Sequence, residues 1–161
     1  IQHSAGLITA EGLAPVRFSD KARSEEAAHF QHDQGKVTFS SNQPDAPLLP
    51  GMQDRLSVML QLGAMVAGTP AKFPAGTVIS IPTASTREAE PWQFTVEGHD
   101  ELELPGGKVA ALKLIRNPRR EFDQKVELWL ATGMDYVPVR LRLTQANGDW
   151  VDQQWSSTDK R

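Results

Sequence analysis

The chain contains no cysteine, which removes disulfides and thiolate metal sites from consideration. It lacks a strong charge of either sign. Against 17 basic side chains stand 20 acidic ones, a formal net charge of -3, and so weak a field does not gather nucleic acid or anionic lipid. Long hydrophobic runs are missing too. The longest, Val58 to Ala67, is broken by Gln61 and falls short of the about 20 residues that cross a bilayer. There is no Gly-x-Gly-x-x-Gly, P-loop or Gly-x-Ser-x-Gly sequence, so no nucleotide cradle or nucleophile elbow is signalled. No fixed-period repeat or low-complexity block occurs. Ile1 replaces an initiator Met, with no charged and apolar leader before a small-residue cleavage site. The chain is therefore expected to be the C-terminal part of a longer exported or membrane-anchored product.

What is present is globular composition, 39% hydrophobic and 23% charged over 161 residues, which suits a single domain spanning residues 1–161. Short runs of alternating polarity separated by turn residues give the all-β signature. Gly6 to Ala10 and Pro15 to Phe18 flank Glu11-Gly12. Glu25 to Phe30 and Lys36 to Ser40 are joined through Asp33-Gln34-Gly35, a hairpin turn in which Gly supplies positive φ. The prolines of Ser41 to Pro50 forbid helix and central strand there. Strands are expected again at Thr77 to Ile81, Pro91 to Glu97, Glu101 to Leu104 and Lys108 to Arg116, the last two meeting across Pro105-Gly106-Gly107. Trp92, Phe94 and Val96 share one face, as do Ala110, Leu112 and Leu114.

One helix is expected, Gly51 to Ala67, with Leu56, Met59, Leu60 and Val66 buried. A meander should close the chain: Phe122 to Leu130, Val137 to Thr144, Trp150 to Trp155. Phe122, Val126, Leu128, Leu130, Val139, Leu141 and Leu143 are assigned to the inner face, with Val151 and Trp155. Parity then demands an odd-residue second turn, most simply Asn147-Gly148-Asp149. Ser156 to Arg161 reads as a frayed polar tail.

The run Glu127-Leu128-Trp129-Leu130, then Tyr136-Val137-Pro138-Val139-Arg140-Leu141-Arg142, is distinctive. It follows Leu104-Pro105-Gly106-Gly107, Leu112-Lys113-Leu114 and, upstream, Asp54-Arg55-Leu56-Ser57. This order resembles the bacterial envelope family called domain of unknown function 3108. Phe18 to Asp20 and Arg116 to Arg120 are similar to its proteobacterial members. The resemblance runs from about residue 5 to residue 156. It implies a periplasmic or envelope-attached location in Gram-negative bacteria. It also implies a fold that is mainly β, an antiparallel rolled sheet (a spiral β-roll or open barrel-like) with one packed α-helix. No activity comes with it.

The four histidines include His29 and His32, whose i, i+3 spacing suits zinc only on a helix. On a strand end they point apart, so no metal site is expected. Acids are spread over turns and outward faces, and no catalytic residue or cofactor is assigned. The candidate binding residues are Arg116, Arg119 and Arg120, a guanidinium cluster on a proline-stiffened turn, with Trp129, Arg140 and Arg142 on the polar strand faces. For the turn, the alternative is a charged hairpin end paired with Glu121 and Asp123. For Trp129, stacking under an Arg or a partly covered second face are the alternatives. The expected function is non-enzymatic binding or scaffolding in the envelope, toward a protein, glycan or lipid. The first rival is a carrier sheltering an apolar or acyl ligand between sheet and helix, suggested by Met59 and Met65. The second is an envelope hydrolase with a dispersed site.

Overall fold

A computed structural model describes residues 1–158; the end of the expected polar tail, 159–161, lies outside the described residues. Five strands, β1 (Gln2–Thr9), β2 (Gly12–Lys21), β3 (Glu25–Gln31), β4 (Lys36–Phe39) and β5 (Ala46–Pro47), form one antiparallel sheet in sequence order. A second sheet is built from β6 (Gln53–Asp54), β7 (Val78–Ala84), β8 (Ala89–Leu104), β9 (Gly107–Arg116), β10 (Lys125–Ala131), β11 (Val137–Thr144) and β12 (Trp150–Gln154). Its order is β12-β11-β10-β9-β8-β7-β6, with β6 parallel to β7. With the helix α1 (Ser57–Gly68), the fold is mainly β, antiparallel, as expected. The chain divides into two compact units, Ile1–Gln61 with Ser80–Trp92, and Leu62–Ile79 with Gln93 onward.

In the first unit Phe18, Ala28, Phe30, Val37, Met52 and Ala84 form the core. Phe18 stands opposite Ala28, and Phe30 opposite Val37, so alternation delivers one apolar face. Gly35 takes φ +65° in the expected β3–β4 turn. Pro47 sits in the edge strand β5, where a missing N–H costs no ladder bond. β3 covers only residues 17–21 of β2, and side-chain amides replace it further along. Gln53 Nε2 donates to the Leu13 carbonyl at 2.7 Å, and Gln61 Oε1 accepts from the Leu13 N–H at 2.9 Å. Backbone groups of Leu13 are thus satisfied without a third strand.

The helix begins six residues later than its periodicity suggests. Asp54 Oδ1 accepts from the Leu56 and Ser57 N–H groups, and Ser57 Oγ accepts from the Asp54 N–H. This reciprocal cap fixes the start, while Gly51 at φ +73° turns the chain beforehand. Val58, Met59, Leu62 and Val66 are buried, and Leu60 is 57% exposed. Leu60 lies about 200° around the helix from Leu62 at 3.6 residues per turn, so its expected burial is corrected. Replacing Leu60 with Ala is expected to move stability by no more than about 0.5 kcal/mol, read from urea midpoints. Gly63 is seated so closely that a Cβ would fall 2.4 Å from the Tyr136 carbonyl oxygen.

In the second unit Leu114 opposes Leu128 and Leu112 opposes Leu130, and all four are buried. The other face also has a core: Leu102, Leu104, Ala111, Trp129, Ala131 and Val139. Two bulges supply it. The register of β8 shifts between Val96 and Gly98, with Gly98 at φ +141°. That of β11 shifts where Trp129 opposes Arg140 but Leu130 opposes Pro138. Each bulge flips the parity of the residues beyond it. Leu102, Leu104 and Val139 therefore turn to the Trp129 face, and Val139 leaves the Leu141 face assigned to it.

Phe122 is corrected as well. It lies before β10 at φ +67° and is 81% exposed. The β11–β12 connection spans 145–149 between Thr144 and Trp150, an odd number of residues as parity required. Gln145 N–H donates to the Asp149 carbonyl, leaving a three-residue loop, Ala146 to Gly148, one residue earlier than expected, with Gly148 at φ +93°. Val151 is 54% exposed, against its assignment to the core. Trp155 packs with the Trp129-side cluster, and its ring carbons would lie 2.5–2.6 Å from a Cβ on Gly106.

Candidate functional site

Four adjacent strands, β9 to β12, bring one row of side chains to a common face. The registers place Lys113 beside Trp129 and Trp129 beside Arg140, and in the next row Glu127 beside Arg142 and Arg142 beside Asp152. Thr144 opposes Trp150 at the end. Side chains two apart on a strand share a face, so this grouping follows from pairing alone.

Trp129 is the centre of the arrangement and is 4% exposed. Its indole N–H donates to Asp100 at 3.0 Å. The Lys113 ammonium lies 5.1 Å from its ring centroid, and the Arg140 guanidinium 4.6 Å. The cations come from strands on either side of β10, each within cation–π range. Arg140 is fixed in turn by two hydrogen bonds to Asp152, at 3.1 and 2.7 Å. Lys113 pairs with Glu127 at 3.1 Å and Glu97 at 3.4 Å.

The electrostatics follow this geometry. The Arg140 hydrogen bond outweighs burial and holds the Asp152 carboxyl below its usual range, while the same bond raises the pKa of Arg140. Burial works against charge on Lys113, but Glu127 and Glu97 outweigh it and lift its pKa. The cations Lys113, Lys125, Arg140 and Arg142 are matched in number by the carboxylates Glu97, Asp100, Glu127 and Asp152. A face so balanced steers little from a distance.

Arg142 stacks 4.6 Å from the centroid of Trp150, which is 58% exposed. This pair lies on the outermost two strands and is the accessible part of the face. The guanidinium turn differs. Arg116 is 2% exposed; it donates to the Gln124 carbonyl at 2.9 Å and to both oxygens of Asp123 at 3.1 and 3.2 Å. Arg119 reaches Asp123 through its backbone N–H at 3.0 Å and its Nε at 3.5 Å, and Arg120 is exposed. The structure thus gathers Trp129, Arg140 and Arg142 on one face. Arg116 and Arg119 converge on Asp123, which fits the account of a turn paired with its own acids. Lys113, Asp100, Asp152 and Trp150 were not singled out from sequence. Trp150 and Asp152 share the even parity of Arg140 and Arg142, a signal that would have found them.

Of the two histidines, His29 lies within β3 and His32 in the turn that follows it. His29 opposes Thr38, and His32 Nε2 contacts the Pro15 carbonyl at 2.7 Å. Among the described residues, no three or more His, Asp or Glu side chains are grouped to hold a metal ion. No described helix is long and apolar enough to cross a membrane.

These features define a class: a mainly β domain with a charge-balanced, aromatic-centred sheet face. The family model described as protein of unknown function, DUF3108, matches residues 1–153, and the chain belongs to that family. No curated protein and no solved structure matches it.

Proposed function

We propose that this chain is a non-enzymatic binding domain of the bacterial cell envelope, working through the β9–β12 face. One observation carries it: the Trp150 ring is 58% exposed while Arg142 is already stacked on it. Beneath it the face is immobilised by Trp129, Arg140 and Asp152. An aromatic and a guanidinium held in place have lost much of their side-chain entropy before any partner arrives. Trp and Arg are also the residues that concentrate binding energy at interfaces. The partner fitting this pair has a flat apolar or sugar-like surface for the indole and an acceptor group for the guanidinium, within envelope protein, glycan or lipid. The envelope setting enters through the family resemblance of the sequence.

Arg142→Glu with Trp150→Ala tests the proposal. Envelope fractions captured by the unmodified chain should be lost, with the melting temperature changed by only a few degrees, since Trp150 is exposed and Arg142 is only half-buried. Capture that persists unchanged would sink the proposal.

A further inference from the structure

Within the first unit an open cleft of about 360 Å³ lies where the β1–β2 turn meets the connection between β5 and β6. That volume is at the small end of small-molecule sites. One wall is apolar, from Leu13, Ala14, Leu48, Leu49 and Pro50, with Met52 among the lining residues. Met52 is 5% exposed and belongs to the core, so the apolar lining continues inward and is backed by packed side chains.

The polar side chains of the lining are Thr9, Glu11 and His32, and their free hydrogen-bonding capacity is one-sided. The Thr9 hydroxyl donates its proton to the Gly12 carbonyl at 2.8 Å, which leaves its oxygen lone pairs. His32 Nε2 lies 2.7 Å from the Pro15 carbonyl oxygen. A carbonyl only accepts, so Nε2 carries the proton, and in the neutral ring Nδ1 is left as an acceptor. Glu11, exposed in the two-residue turn between Thr9 and Gly12, offers carboxylate oxygens. All three polar side chains thus carry acceptor atoms while the Thr9 and His32 donors are already committed, and Glu11 is an anion.

We infer that this cleft binds the ammonium end of an apolar amine, the chain lying against the Leu13–Leu48–Leu49 wall and the –NH₃⁺ group meeting Glu11, Thr9 and His32. An ammonium has three donors and no acceptor, the complement of this rim. A carboxylate or phosphate head would meet the like charge of Glu11 and find the side-chain donors of Thr9 and His32 already committed, an arrangement that disfavours it. The site shares no residue with the β9–β12 face and does not depend on its role.

The experiment follows backbone amide shifts of the whole chain at pH 8 during titration with n-octylammonium, n-octanoate and ethylammonium. Octylammonium should shift the amides of residues 9–14, 32, 48, 49, 51 and 52 saturably. Octanoate and ethylammonium should each bind at least roughly tenfold more weakly, the first for its charge and the second for its missing chain. Glu11→Gln, in an exposed turn where folding is unaffected, should weaken octylammonium about tenfold, the scale of one charge-assisted hydrogen bond. Octanoate binding as tightly as octylammonium, ethylammonium doing so, an unaltered affinity in Glu11→Gln, or no shift in these amides would each overturn the inference.

Discussion

Replacing Asp123 with Ala is expected to destabilise the chain by about 3 kcal/mol, because it strands a buried cation. Arg116 ends β9 on the face that also carries Leu112 and Leu114, and it is 2% exposed. Both Asp123 oxygens accept from its Nη2. The pair is kept at a desolvation cost, and what matters is that neither partner is left alone. Arg116→Met with Asp123→Leu should therefore lose far less than Asp123→Ala. The acid limb of the stability curve provides a second check. Burial pushes the Asp123 carboxyl up. The Arg119 N–H, the Arg116 charge, the Gln124 N–H and the Arg116 hydrogen bond together win, and hold it down from 3.8 to about 2. A folded-state pKa below the unfolded one contributes stability that is fully present above about pH 5 and lost as pH falls through about 2. A gap of this size corresponds to about 2 kcal/mol. Urea midpoints measured between pH 7 and pH 2 should show the difference between the parent chain and Asp123→Ala narrowing across that interval. A difference independent of pH would show that the carboxylate charge is not what stabilises the turn.

Most strands were legible because two local codes agree: alternation marks the strand and Gly marks the turn. Asp33-Gln34-Gly35 and the Pro105-Gly106 turn connect strands as their composition demands. Faces were legible only as far as the first bulge. Val139 carries the same parity as Leu141, and nothing local announces that β11 gains a residue against β10 there. Gly98 is the one visible hint in β8, a glycine inside an alternating run. The helix shows a related limit. Its apolar surface is wide enough that periodicity alone does not fix its phase, and the cap formed by Asp54 and Ser57 fixes its start. Phe122 was read by hydrophobicity into a strand, whereas backbone demand at the Asp123 turn sets it at positive φ. For the candidate face, the closeness of Trp129 and Arg140 followed from parity. The burial of Trp129 did not, because it depends on residues that two bulges redirect.

That burial makes Trp129 the most costly side chain of the face to remove. Trp129→Ala is expected to lose about 3–5 kcal/mol, the range for a large aromatic deleted from a core. Its environment has two halves that contribute differently. On one side it belongs to the cluster of Leu102, Leu104, Ala111, Ala131 and Val139, and the lost contacts and the cavity account for most of the effect. On the other, Lys113 and Arg140 lose the ring face, and Asp100 loses its N–H donor. Trp129→Phe separates the halves. It keeps an aromatic face for both cations and most of the apolar volume but removes the donor, and about 1–2 kcal/mol is expected. Salt provides the discriminating measurement. Added salt screens exposed charges over a Debye length of about 10 Å at 0.1 M and about 3 Å at 1 M, whereas burial of apolar surface does not depend on charge. The Trp129→Ala loss, taken from urea unfolding at 0.1 M and 1 M sodium chloride, should therefore agree to within about 0.5 kcal/mol. A loss that collapsed at high salt would mean that the cations hold Trp129 in place. The agreement expected here assigns Trp129 the role of apolar anchor, on which Arg140 and, through Asp152, the outermost strand are aligned.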